Sequence, residues 1–275
     1  MEIFPALVCP AKWDNLLVCT GGSAEGQNAV AITLELAQAC SSQVHVVQVL
    51  EVVPGNQAAA EVQKNMEAIQ DAAAKLEVSI HPAVPQNQVP HAAILSEAEK
   101  IHPDLIIMGR RGKTALARLL MGSVTTRVIC HSPLNVLVVP LGAAVGFQRL
   151  LVALDGSPYS EVAWRFALAM AKQAKSQLIS VAVAPKKGDI SEARAIIQKT
   201  FIAAKEAGIP LKGIKGVSPH GVAPDIGVVK EAIKNEVDLI VMGSYGRTGL
   251  KKLLMGSTTE KVIGNAPWTG VYNFS

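Results

Sequence analysis

The chain has few aromatic residues: 3 Trp, 3 Tyr and 5 Phe among 275. That scarcity leaves little for base stacking, and no nucleic-acid-binding motif is present, so a nucleic-acid partner is not expected. Long hydrophobic runs are missing too. Mean hydropathy is +0.30, yet no stretch approaches the roughly 18–20 consecutive apolar residues of a membrane span. The opening residues hold no basic segment and too short an apolar stretch for a signal peptide. These absences lead to the expectation of a soluble cytoplasmic protein without a membrane partner. Cysteine is sparse as well. Cys9, Cys19, Cys40 and Cys130 all fall in the first half without a C-x-x-C pair, and are expected as buried small hydrophobes, not as a disulfide framework. The histidines are scattered without metal-ligand spacing, so no protein-held metal site is expected.

What the chain does have is a phrase used twice. Residues 104–123 read DLIIMGRRGKTALARLLMGS and residues 238–257 read DLIVMGSYGRTGLKKLLMGS. The offset is 134 throughout, so Gly109, Gly112, Gly122 and Ser123 recur as Gly243, Gly246, Gly256 and Ser257. Each copy is G-x2-G-x9-G-S placed directly after a short apolar run. A strand that empties into a glycine-rich loop and then a helix start suits an anion such as phosphate, because backbone N–H groups can approach it. The same offset aligns residues 16–18 with 150–152, Gly22-Ser23 with Gly156-Ser157, and Pro133 with Pro267. Two halves of one fold follow, divided as 1–143 and 144–275, with residues 141–148 as a short linker.

Each half reads as alternating strands and helices. In the first, strands are expected at residues 16–20, 44–50, 78–84, 105–108 and 136–139. Helices are expected at 23–40, about 58–76, 91–101 and 123–130, with Ser23 as an N-cap. Five strands interleaved with four helices predict a doubly wound parallel α/β sheet of Rossmann-like type in each half, and ligands bind such sheets outside the carboxyl ends of the strands. Residues 136–139 are expected at the edge of their sheet.

The glycine spacing excludes two better-known nucleotide loops. Gly112-Lys113-Thr114 resembles the end of a P-loop, but G-x-x-x-x-G-K-[ST] needs glycine at position 107, where Ile107 stands. No G-x-G-x-x-G follows the first strand of either half, against a dinucleotide fingerprint. The long-spaced pattern, duplicated in matched context, resembles the universal stress protein family in its tandem two-domain form, over nearly all of residues 14–275.

That resemblance implies the adenine nucleotide alpha hydrolase-like fold, packed as a pseudo-dimer in which the last strands of the two halves pair. It implies ATP or AMP as ligand, with Mg2+ as companion, a role in nucleotide-dependent stress response, and a homodimer. Carried over by position, the second-half site is Asp155 after the first strand, Val183 at the end of the second, and Met242, Gly243, Gly246, Arg247, Gly256, Ser257 and Thr258 around the loop. The first half offers Val49, Gly109, Gly112, Gly122, Ser123 and Val124. It lacks the aspartate, since Gly21 aligns with Asp155. Loss of a charge-assisted acceptor costs about 1.5–3 kcal/mol, or roughly one to two decades in affinity, so tighter binding is expected in the second half.

Plainer readings stand beside these. The glycines could simply end strands, and Asp104 and Asp238, each just before a strand, are expected to be structural. Ser257 with Glu260 forms S-x-x-E, and both loop serines are expected to cap the following helix whether or not they touch phosphate. A slow ATPase or adenylyl-transfer enzyme is one rival function, although neither half shows a nucleophile–base pair. A nucleotide-free interaction module is another. The charge divides unevenly: residues 1–143 carry 9 Lys+Arg against 12 Asp+Glu, and residues 144–275 carry 17 against 10. Self-association, an anionic ligand in the second half, or a merely solvated surface would each fit that split.

Overall fold

The structure is a computed structural model that describes residues 7–50, 57–86, 89–111, 121–209, 214–217, 219–246 and 255–272. The first half runs β1 (Asn15–Cys19), α1 (Ala24–Cys40), β2 (Gln43–Val47), α2 (Gln57–Lys75), β3 (Ile80–Ala83), α3 (Pro90–Ile101), β4 (Leu105–Gly109), α4 (Ser123–His131) and β5 (Val136–Val139). The second repeats the series as β6 (Arg149–Ala153), α5 (Pro158–Ala174), β7 (Gln177–Val181), α6 (Ile190–Glu206), β8 (Ile214–Val217), α7 (Pro224–Lys234), β9 (Leu239–Met242), α8 (Ser257–Asn265) and β10 (Thr269–Tyr272). A 3-10 turn at Lys187–Asp189 precedes α6.

The inner strands are continuous apolar runs because helices cover both faces of the sheet. Every residue of β4, β5, β9 and β10 is buried. The strand order is β3-β2-β1-β4-β5-β10-β9-β6-β7-β8, so each half has the same order and the two halves share one ten-stranded sheet. Within each half all pairings are parallel. Between the halves, β5 and β10 pair antiparallel, with Val138 opposite Gly270, Leu137 opposite Val271 and Val136 opposite Tyr272. The β5 segment is therefore internal, not an edge. Its partner departs from the VLVV pattern because the Tyr272 ring lies over Gly270, where a Cβ would collide with it.

Local chemistry sets the element ends. Ser23 caps α1 by accepting the Gly26 N–H at 3.1 Å, and Ser157 caps α5 by accepting the Ser160 N–H at 3.2 Å. The chain leaves these helices through left-handed residues at matched positions, Ser41 (φ 58°) and Lys175 (φ 56°). Asp104 and Asp238 are structural as expected. Asp104 Oδ2 accepts the N–H groups of Asp14 and Asn15 at 2.8 and 2.9 Å. Asp238 Oδ2 accepts those of Gln148 and Arg149 at 2.8 and 2.7 Å. Each aspartate thus ties the start of one strand to the start of its neighbour.

Two further expectations need correction. Strand β2 stops at Val47, short of residue 50, and Leu50 makes only an isolated bridge to Gln86. The cysteines are not all inert core groups: Cys9 and Cys40 form a disulfide, while Cys19 and Cys130 are free and buried. The bridge fastens the segment before β1 to the end of α1, a proximity that the spacing of 31 residues does not reveal. At the positions 134 residues further on stand Ala143 and Ala174.

Candidate functional site

The second half opens a cavity of ≈ 370 Å³ at the carboxyl ends of β6, β7 and β9. Strand order reverses there, between β6 and β9, which is where an open α/β sheet leaves a crevice. Asp155 enters it just after β6. The Ser157 N–H donates to Asp155 Oδ1 at 2.9 Å, which bends the carboxylate over the turn at Gly156 (φ 80°). Its Oδ2 lies 3.0 Å from where a Cβ of residue 246 would sit, so the loop passes close to the carboxylate at a residue without a side chain.

The loop after β9 is closed from behind. Gly256 N–H donates to the Ser244 carbonyl at 2.8 Å, and the Thr259 hydroxyl donates to the Gly243 carbonyl at 2.8 Å. These two bonds fix the start of α8 against the end of β9. A Cβ on Gly243 would lie 3.0 Å from Tyr159 Cβ, so that glycine serves the contact of strand and helix. The serines do not cap. Gly256 and Gly122 occupy the N-cap positions of α8 and α4 without any side-chain capping bond, and Ser257 and Ser123 are the first helical residues. One residue of offset turns the S-x-x-E pattern into something other than a capping box.

Of the sequence-predicted residues, Asp155, Val183, Met242, Gly243, Gly246, Gly256, Ser257 and Thr258 all line this cavity. Arg247 and Gly112 fall outside the described residues. Sequence reasoning passed over Tyr245 in the loop, Asp189 and Glu192 at the start of α6, and Pro224 and Val228 on α7. The signal for Tyr245 was available: it stands inside the repeated motif and differs from its counterpart, Arg111. Glu192 and Asp189 belong to a stretch without recognisable repetition. Among the described lining residues there are three carboxylates and no basic side chain. An anion here would rely on backbone N–H groups and the α8 N-terminus, while the carboxylates would meet hydrogen-bond donors of a ligand.

The first half keeps the scaffold and changes its contents. Thr125 donates to the Gly109 carbonyl at 3.0 Å and Gly122 N–H to the Arg110 carbonyl at 2.8 Å, matching the second loop bond for bond. A Cβ on Gly109 would stand 2.7 Å from the backbone carbon of Glu25. Ser123 is exposed, Val124 half-buried, and Val49 lies two residues beyond the end of β2. In place of Asp155, the turn after β1 uses the Thr20 hydroxyl, which accepts the Gly22 N–H at 3.1 Å. Glu25, only 7% exposed, accepts the Arg111 backbone N–H and pairs with the Arg111 guanidinium at 3.4 Å. At the corresponding two positions the second half has Tyr159 and Tyr245, with ring centroids 5.4 Å apart.

Each loop also reaches into the other half. Arg110 Nη1 donates to the carbonyls of Ile263, Gly264 and Ala266 at 3.2, 3.2 and 3.0 Å, placing a cation on the C-terminal end of α8. The Tyr245 hydroxyl donates to the Cys130 carbonyl at 2.8 Å, at the matching end of α4. Burial pushes the Tyr245 phenol up to about 12, and the Cys130 thiol beside it adds to the shift. Among the described residues no group of three or more His, Cys, Asp or Glu side chains is placed to hold a metal ion.

The sequence profile of the Universal stress protein family matches residues 12–140 and again residues 146–269. A universal stress protein of Mycolicibacterium smegmatis is 29% identical over 189 residues, which cover 64% of this chain and 63% of that one. A second, from Methanocaldococcus jannaschii, is 30% identical over 138 residues, covering 44% of this chain and 78% of the relative. Among solved structures, a universal stress protein from Archaeoglobus fulgidus superimposes with a TM-score of 0.73 at 18% identity, covering 94% of this chain and 98% of that one. At that identity the likeness concerns the fold.

Proposed function

This chain belongs to the universal stress protein family, and from that premise we propose that it is a tandem nucleotide-binding regulator of the stress response whose second half holds ATP or AMP. The observation that supports this reading is that the Asp155 carboxylate and the glycine loop line one cavity of ≈ 370 Å³. That cavity has an apolar wall formed by Val183, Val228 and Met242, a carboxylate edge, and a glycine loop ending at a helix N-terminus. A nucleoside phosphate has the complementary layout: a flat apolar base, a sugar with hydroxyl donors, and an anionic tail. Asp155, Asp189 and Glu192 would accept from the donors. The backbone of Gly243, Gly246 and Gly256, with Ser257, Thr258 and Arg247, would hold the phosphates, and Mg2+ would accompany them as counter-ion. The proposed division of the chain is 1–143 and 144–275, with a cytoplasmic location and a homodimer as the working assembly.

The test is mass spectrometry of nucleotide released on denaturation, followed by calorimetric titration with ATP. About one nucleotide per chain is expected. In Asp155→Ala the affinity should fall roughly tenfold to a hundredfold, the range for losing a charge-assisted acceptor. If the purified protein releases no nucleotide and takes up none on titration, the proposal is wrong and a nucleotide-free interaction module replaces it.

A further inference from the structure

At the end of the sheet opposite Asp155, beside the amino ends of β6, β9 and β10, lies a second cavity of ≈ 570 Å³. Its lining is mostly apolar: Val145, Phe147, Val237 and Trp268 of the second half, completed by Leu7 and Val8 from before β1. Leu7–Lys12 has neither helix nor strand. Just beyond it the chain is firmly held, since Trp13 is buried, meets Phe147 edge-on at 6.3 Å, and accepts the Ser42 hydroxyl at its carbonyl. Before Trp13 the strong tie is the Cys9–Cys40 disulfide. We infer that this disulfide is a redox-controlled fastener, and that its reduction releases Leu7–Ala11 as a strap and uncovers the apolar cavity of the second half. The inference does not depend on the nucleotide reading.

Three features support it. Among the described residues, no backbone hydrogen bond holds Leu7–Lys12 to the rest of the chain. Leu7 is half-buried and Val8 exposed, so their packing alone offsets little of the entropy of ordering the strap. Second, Cys9 and Cys40 are both half-buried, within reach of an incoming thiolate. The other two cysteines do not compete for the bridge, because burial pushes the thiols of Cys19 and Cys130 up and keeps them protonated. Third, Ala174, which stands 134 residues on from Cys40, itself lines the cavity. The second half thus has no staple of its own there and borrows the strap of the first.

The electrons come from a dithiol reductant. One of its thiolates attacks a sulfur of the bridge to form a mixed disulfide, and the other displaces the remaining cysteine. Cys9 and Cys40 end as thiols carrying the two protons of the dithiol, which leaves as a disulfide.

The test compares the full chain with and without dithiothreitol in native buffer, with 8-anilinonaphthalene-1-sulfonate as the apolar probe. The oxidised chain, once denatured, should show two free thiols, Cys19 and Cys130, and four after reduction. Reduction should raise the dye emission severalfold, shift Trp emission to the red and increase its quenching by acrylamide, with far-UV circular dichroism unchanged. Trp268→Phe should lose most of the red shift and keep the gain in dye emission. Cys9→Ser/Cys40→Ser should match reduced wild type in both buffers; if it fails to fold, wild type with reductant decides the matter. Dye emission and quenching that reductant leaves unchanged would overturn the inference. So would four free thiols in the chain treated with oxidised glutathione. Loss of the circular dichroism signal on reduction would overturn it too, because the bridge would then hold the whole fold and not a strap.

Discussion

The two halves share a backbone and differ in what fills the space behind the glycine loop. In the first, Glu25 and Arg111 form an ion pair there; in the second, Tyr159 and Tyr245 form an aromatic pair. The strand ends, the helix starts and the threonine bonds that brace the loop are the same in both. A scaffold held together by backbone contacts tolerates such an exchange, because Gly109 and Gly243 meet backbone and Cβ atoms that both residue pairs provide. The lesson is that a duplicated loop preserves its shape while its chemistry diverges.

The largest expected asymmetry is the Cys9–Cys40 bridge, which has no second-half counterpart. Closing a loop of this length stabilises by about 3–4 kcal/mol in the chain-entropy limit, so reductant should move the urea midpoint of wild type and leave Cys9→Ala/Cys40→Ala unmoved. Equal midpoints with and without reductant would erase this difference between the halves.

A closer comparison sets Gly109→Ala against Gly243→Ala. The new methyl meets Glu25 backbone at 2.7 and 2.9 Å in one case, and Tyr159 Cβ at 3.0 Å in the other. Overpacking against unyielding backbone should cost about 3 kcal/mol, and the looser site about 1 kcal/mol. Chemical denaturation that ranks the two the other way would show that the first loop is the more compliant one.

The contacts between halves offer the finest test. Arg110→Ala removes a cation from three helix-end carbonyls and should cost about 2 kcal/mol, whereas Tyr245→Phe removes one hydrogen bond and should cost about 1 kcal/mol. Alkaline pH separates them further. The Tyr245 phenol is held up to about 12 when folded, above its ordinary value near 10, so its stabilisation is complete below pH 10 and is lost as pH rises toward 12. Melting temperature should thus fall more steeply above pH 10 in wild type than in Tyr245→Phe; parallel curves would remove the phenol from the account.

The sequence alone determined the repeat, the order of elements in each half, and most of the second cavity. Glycines record where backbone must pass close to backbone, and aspartates before strands record a local tie between neighbouring strands; both are short-range needs that leave fixed spacings. Serine roles were harder to read, because one residue of shift separates an N-cap from a first helical residue. Only the tertiary structure decided the rest. The Glu25–Arg111 pair, the reach of Arg110 to α8 and of Tyr245 to α4, and the Cys9–Cys40 bridge all join residues far apart in the chain. Their partners are set by how helices pack on a shared sheet, and side chains that meet through packing leave no period or spacing in the sequence.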